Sequence, residues 1–373
     1  MTDARAVDVM PAFALPPNLD TPRLVVDLAR VEANIARAQA AMDARRIALR
    51  PHAKTHKSVA IARLQLAVGA QGLTVGTLGE AEVFAAAGLA DLFIAYPVVA
   101  TGAKGERLRA LHDAFPAISV GVDSIMGARR LAAATVGARR PLHVLVEIDP
   151  GNGRTGVLGA AAAVEVAEAA RTSGLVVDGV FSHGGHAYHP DAWERAGADE
   201  VRTLTAAAEG LEAAGFEVPI VSAGSTPTFL SAATGRVTEM RAGTYVLGDR
   251  QQWLIGAIPA EGCAAAVAAT VVSVFPDRIV LDSGAKSLTK DRAAWIDGHG
   301  LIAAYPDLVI ERLSDYHAVV RAPEDASRPK LHQVVAVIPN HICPVVDLND
   351  TFLATRSGAP PEAWPVDARG RSG

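Results

Sequence analysis

Cysteine is scarce in this chain. Its 373 residues hold two, Cys263 and Cys343, too few for a disulfide framework, and both are expected as reduced thiols in the cytoplasm. Long apolar runs are missing as well. The longest, around 263–274, falls short of the roughly 20 residues a membrane span needs, so no membrane partner is expected. The first twenty residues carry acids and prolines and no basic start leading into an apolar core, so no secretory signal is expected. Positive charge is not in excess: Lys+Arg number 35 against 40 Asp+Glu, a net charge of −5. No field of that sign attracts a phosphate backbone, which excludes nucleic acid as a partner. There is no GxGxxG and no P-loop lysine motif, so dinucleotide and triphosphate binding have no local support. What is present is ordinary for a globular chain, with 50% hydrophobic and 20% charged residues. That much apolar surface excludes disorder throughout. The length suggests two domains, or one large barrel with an addition.

Residues 1–20 read as an irregular arm. A short apolar strand is expected at 24–28 and a helix at 31–45, with Val31, Ile35 and Met42 among polar neighbours. Strands and Ala-rich helices then alternate. The expected strands are 47–54, 72–76, 92–98, 118–124, 143–149, 176–183, 220–224 and 240–246. Helices such as 78–87, 160–171 and 200–214 lie between them. This alternation predicts a (β/α)8 TIM barrel over 21–250, although a doubly wound open sheet has the same local pattern. Beyond 250 the texture turns to β-branched runs punctuated by Pro and Gly, which predicts a C-terminal all-β domain over 251–373.

Six clusters carry candidate chemistry. Arg50-Pro51-His52-Ala53-Lys54-Thr55-His56-Lys57 ends an apolar strand, the place where barrels hold their active sites. A lysine held partly out of water there is a nucleophile able to form a Schiff base. A solvated basic turn has the same spacing, and a His52/His56 metal pair beside three cations is poor. In Pro339-Asn340-His341-Ile342-Cys343-Pro344, His341 and Cys343 are two apart, so on a strand both side chains share one face. Imidazole and thiolate suit zinc, and a buried structural pair is the other reading. Ser222–Thr228 offers hydroxyls and backbone N–H groups to an anion after a late strand. Arg241-Ala242-Gly243-Thr244-Tyr245 joins a fixed cation to a glycine that lets backbone approach a ligand. Glu147-Ile148-Asp149 with Arg154, and His183, His186 and His189 after the sixth strand, add charge and imidazole at the same barrel mouth.

With these residues in view, the chain resembles the fold-type III pyridoxal-phosphate (PLP) enzymes, the alanine racemase-like barrels. Within them it is similar to the metal-activated D-threonine aldolase and D-serine dehydratase group. RPHAKTHKS and PNHICP together carry the resemblance, and TPRLVVDL, GEAEVFAAAG, VLVEID, GSTPT and RAGTY follow in the group's order. It runs from about Thr21 to Gly370. It implies that Lys54 holds PLP and that Arg154 lies near the cofactor's phenolic oxygen. Ser225, Thr226, Gly243 and Thr244 would cradle the phosphate, and Arg241 would face the pyridine nitrogen. His341 and Cys343 would bind a divalent metal, zinc or manganese. His183 would sit near the substrate hydroxyl, with Tyr188 close by.

The resemblance further implies a small D-3-hydroxy-α-amino acid as substrate and a homodimer. Removal of the α-proton by Lys54 with loss of hydroxide gives a 2-oxo acid and ammonia, the D-serine dehydratase outcome. Removal of the hydroxyl proton by His183 or metal-bound water gives glycine and an aldehyde, the aldolase outcome. Cys343 at the second metal position leans toward the dehydratase. An amino-acid racemase or a non-catalytic PLP carrier of the same barrel are further readings, and the His341/Cys343 pair speaks against both.

Overall fold

The computed structural model describes residues 12–323 and 325–373, so residues 1–11 of the expected arm lie outside the described residues. Residues 12–20 form neither helix nor strand. The chain divides into two compact units, 12–35 with Thr244–Arg369, and Ala36–Gly243 with Gly370–Gly373. Among the described residues no helix is long and apolar enough to cross a membrane.

In chain order the first nine strands are β1 (Arg23–Asp27), β2 (Ala48–Leu49), β3 (Leu73–Val75), β4 (Leu92–Ile94), β5 (Ile118–Val122), β6 (His143–Ile148), β7 (Val176–Ser182), β8 (Ile220–Ala223) and β9 (Glu239–Met240). Strands β2 to β9 form one parallel sheet, each of the eight falling within or beside an expected strand. The sheet closes where 48–53 runs between two neighbours. His52 and Thr74 form a parallel bridge, Ala53 N donates to Thr74 O at 2.8 Å, and His52 N donates to Ala242 O at 3.0 Å. The result is the (β/α)8 barrel. Its strands are buried on both faces, which is why they read as continuous apolar runs such as Leu92–Ile94 rather than alternating ones. Thr77 and Ser124 cap the helices that follow two of them, accepting from Glu80 N and Gly127 N, each at 3.1 Å. Inside the barrel Phe93 and Phe181 meet edge to face, their centroids 4.9 Å apart.

The expected strand at 240–246 is shorter than anticipated. It ends at Met240, and Thr244–Val246 is a single 3₁₀ turn. The strand at 24–28 also departs from expectation. It was assigned to the barrel, but β1 pairs with strands of the second sheet, antiparallel to β10 (Ala265–Val274) and parallel to a strand at Thr351–Thr355. A short apolar strand followed by a helix is locally identical to a βα unit, so only the long-range pairing decides it.

Strands β10 to β17 are Ala265–Val274, Arg278–Leu281, Leu301–Ile302, Val309–Leu313, Ala318–Arg321, Val334–Ile338, Thr351–Thr355 and Glu362–Pro365. With β1 they make a nine-stranded sheet. The ten-residue β10 pairs with both β11 and β15, closing β10-β11-β14-β13-β12-β15 into a small antiparallel barrel. Val25, Cys263, Ala266, Ala268 and Ile338 form a buried apolar cluster with Phe13.

Candidate active site

A cavity of about 310 Å³ opens at the C-terminal ends of the parallel strands, the size of a small cofactor site. Lys54, Arg154, His183 and Arg241 line it together, from four separate expected clusters. His52, Tyr96, Pro97, Thr155, Phe181 and Gly224 complete most of its wall. Among the described residues no carboxylate lines it.

Each group arrives by local means. Lys54 opens the turn after the barrel-closing segment, and Lys57 N returns to Ala53 O at 2.8 Å. His52 sits in the barrel-closing bridge and Lys54 in the turn that follows it, and both line the cavity. Lys54 N donates to His52 Nδ1 at 3.4 Å. Arg154 follows a turn in which Asp149 Oδ1 accepts from the backbone of Gly151, Asn152 and Gly153 at 2.9, 2.7 and 3.2 Å. His183 is the residue after β7.

Arg241 is almost fully buried. Its Nη1 donates to Ser222 Oγ and its Nη2 to Ser182 O. The guanidinium lies 5.2 Å from the Phe181 ring centroid and 5.7 Å from that of Phe93. Its Nε is buried without a hydrogen-bond partner. A buried unpartnered donor costs free energy, and on a cavity wall it marks where a ligand acceptor belongs.

The electrostatics follow from burial and cation density. His52 and His183 titrate well below 6.5, first because their surroundings exclude water and then because Lys54, Arg154 and Arg241 lie near. Both imidazoles are therefore neutral at pH 7. Burial raises Glu147, which accepts from Thr155 Oγ1 at 2.8 Å.

Ser225, Thr226 and Gly243 are buried beside Gly224 and Arg241 in the chain, but they are not part of the cavity lining. Gly243 has a steric reason to be glycine: a Cβ there would lie 2.8 Å from His52 O. Tyr188 follows the 3₁₀ turn Gly185–Ala187 and is also outside the lining. Cofactor-binding roles for these four rest on the resemblance alone. His52, Tyr96 and Phe181 were not foreseen as site residues. For His52 a signal existed in its two-residue spacing from Lys54. Tyr96 and Phe181 carry no local signal.

In the unit that holds Thr244–Arg369, His341 and Cys343 are neighbours, but not on a strand as expected. Sheet pairing stops at Ile338, and Ile342–Asp347 is a short helix with His341 as its N-cap residue. Pro339 cannot donate to a ladder, and Pro344 is tolerated in a first helical turn. His341 Nδ1 donates to Asp291 Oδ2 at 2.6 Å. Thr244 Oγ1 stands 3.9 Å from Cys343 Sγ. Asp291 holds one ring nitrogen, so Nε2 remains for a metal, with the carboxylate behind it as metal-binding histidines commonly have. Nitrogen and sulfur together suit a divalent transition metal. Among the described residues no group of three or more His, Cys, Asp or Glu side chains is arranged as a metal cage, so the pair supplies two donors and leaves positions open.

Residues 26–251 match the alanine racemase N-terminal domain family, and residues 264–355 match a serine dehydratase domain. A D-threonine aldolase from Arthrobacter sp. is 34% identical over 98% of this chain and 99% of its own length. A D-threo-3-hydroxyaspartate dehydratase from Delftia sp. (strain HT23) is 34% identical over 93% of this chain and 97% of its own. A solved structure of that dehydratase, a cysteine-to-alanine mutant in the metal-free form, superposes with a TM-score of 0.84 at 32% identity, covering 93% of this chain and 97% of that one. The chain belongs to the alanine racemase-like, fold-type III PLP enzymes, within the lyase group of D-threonine aldolases and D-serine dehydratases.

Proposed function

We propose that the protein is a PLP- and divalent-metal-dependent lyase of D-3-hydroxy-α-amino acids that eliminates the 3-hydroxyl to give a 2-oxo acid and ammonia. The observation that carries this is the cavity wall: one lysine amine, two arginines and two neutral imidazoles, with no carboxylate among them. Such a wall attracts the phosphate of the cofactor and the carboxylate of the substrate. Lys54 would hold the cofactor, and its amine would be the base that takes the substrate's α-proton. Arg241 offers Nε to the pyridine nitrogen, and a guanidinium has no proton-accepting site, so that nitrogen stays unprotonated. Arg154 takes the phenolic oxygen, and the Ser225–Thr226 and Gly243–Thr244 segments take the phosphate. His183 hydrogen-bonds the 3-hydroxyl as a neutral imidazole. Bound PLP supplies an electron sink for charge left at Cα. A divalent ion on His341 and Cys343 supplies a Lewis acid for the departing oxygen.

Cys343 at the second metal position supports elimination over bond cleavage, and a similar solved structure is a dehydratase cysteine-to-alanine mutant in the metal-free form. One observation favours the retro-aldol reading: His183 is held neutral and can accept the hydroxyl proton. A zinc or manganese ion, a homodimer and a cytoplasmic address belong to the same proposal. Light scattering tests the dimer, and a fully active monomer removes it. The deciding experiment follows products from D-threonine by NMR with the PLP- and metal-loaded protein. 2-Oxobutanoate with ammonia supports elimination. Glycine with acetaldehyde replaces it by retro-aldol cleavage, and no product from a fully loaded protein overturns the lyase.

A further inference from the structure

The helix Trp193–Ala213 sends one carboxylate into the barrel wall. Glu200 is fully buried. Its Oε1 accepts from Ser182 Oγ at 2.9 Å and from Gly224 N at 3.0 Å, and its Oε2 accepts from Thr228 Oγ1 at 2.6 Å. These partners share a feature. Ser182 directly precedes His183 in the chain. Gly224 lines the same cavity as His183. Gly184 directly follows His183, and a Cβ on it would lie 2.5 Å from Glu200 Oε2. Gly184 O is tied in turn by Ser225 Oγ at 3.2 Å, and Ser225 N donates to Thr228 Oγ1 at 3.0 Å. The residues on both sides of His183, and Gly224 across the cavity wall, are thus packed on one carboxylate.

A buried carboxylate is costly compared with an apolar side chain at the same helix position. Its hydrogen bonds join the end of β7 to the turn 224–228 after β8, two segments more than forty residues apart in the chain. We propose that Glu200 is a positioning residue for His183. It holds the Ser182–Gly184 segment and Gly224 in one register, so the imidazole meets the substrate's 3-hydroxyl in a single orientation. This rests on the role given to His183 above.

The test measures kcat and KM for D-threonine with PLP- and metal-loaded enzyme, in the wild-type and His183→Asn backgrounds. Glu200→Ala is expected to lower kcat about 100-fold in the wild type with little change in KM, the scale of a misplaced catalytic group. It is expected to cost nothing further in His183→Asn, because the two act as one unit. Glu200→Gln keeps an oxygen for Ser182 and Gly224 and is expected to restore most of the rate. If Glu200→Ala does not fold, Ser182→Ala is the second probe, with a smaller loss that again vanishes in His183→Asn. Equal losses in both backgrounds, or full activity of Glu200→Ala, overturn the inference. A fully active His183→Asn enzyme refutes the role of His183 itself, and is recognisable as such before any Glu200 variant is compared.

Discussion

Asp291 Oδ2 accepts a hydrogen bond of 2.6 Å from His341 Nδ1, across fifty residues of chain. This contact orients the imidazole and selects which nitrogen is left for a metal. Carboxylates placed behind a ligating histidine are worth about 10–100-fold in metal affinity. Asp291→Ala is therefore expected to weaken metal binding by about that factor, read by chelator competition, while PLP binding is unchanged. Unaltered metal affinity would remove Asp291 from the site.

Arg241 is held by Ser222, by Ser182 O and by the faces of two phenylalanines, with Nε left over. Arg241→Met keeps the length and removes the donor. The visible absorbance band of bound PLP is expected to shift, and kcat to fall by about tenfold or more, the worth of one charged hydrogen bond. An unchanged spectrum together with an unchanged rate argues against Arg241 facing the pyridine ring.

His56 is fully buried beside Phe84, and Ser58 N donates to its Nδ1 at 3.1 Å. Burial holds it down to about 4, against an ordinary 6.5. Below pH 6.5 the unfolded chain takes up a proton here that the folded chain refuses, so stability falls as pH drops. The loss reaches about 3 kcal/mol for this group as pH approaches 4. His52 and His183 act in the same sense, and Glu80 and Glu147, raised by burial, act in the opposite one. The informative quantity is thus a difference between chains. His56→Leu is expected to show a constant offset above pH 7 and to lose stability less steeply between pH 6.5 and 4, measured by urea midpoints. Parallel curves for the two chains would mean that His56 does not titrate in this window.

The candidate site was legible where chemistry sits at the end of an apolar run. Lys54, Arg154, His183 and Arg241 each follow a barrel strand by a few residues, and strand ends converge in this fold. Asp291 and Glu200 were not legible. Each lies on an element that meets its partners only through the fold, and an isolated acid in a helix or loop reads as a solvated charge. The His341/Cys343 pair was visible by spacing, but its backbone was misjudged, because Pro339 and Pro344 permit either a strand edge or a first helical turn.

The sequence by itself determined the two-part plan: eight buried parallel strands with helices between them, then antiparallel strands. Those follow from apolar periodicity and turn residues, which act over a few positions. Only the tertiary structure decided that β1 belongs to the second sheet, since its partner Val267 is more than two hundred residues away from Leu24. It alone also decided that one buried carboxylate underlies His183 and that an aspartate backs His341. Hydrogen bonds between distant segments depend on where the closed sheets bring those segments, and no local pattern encodes that distance.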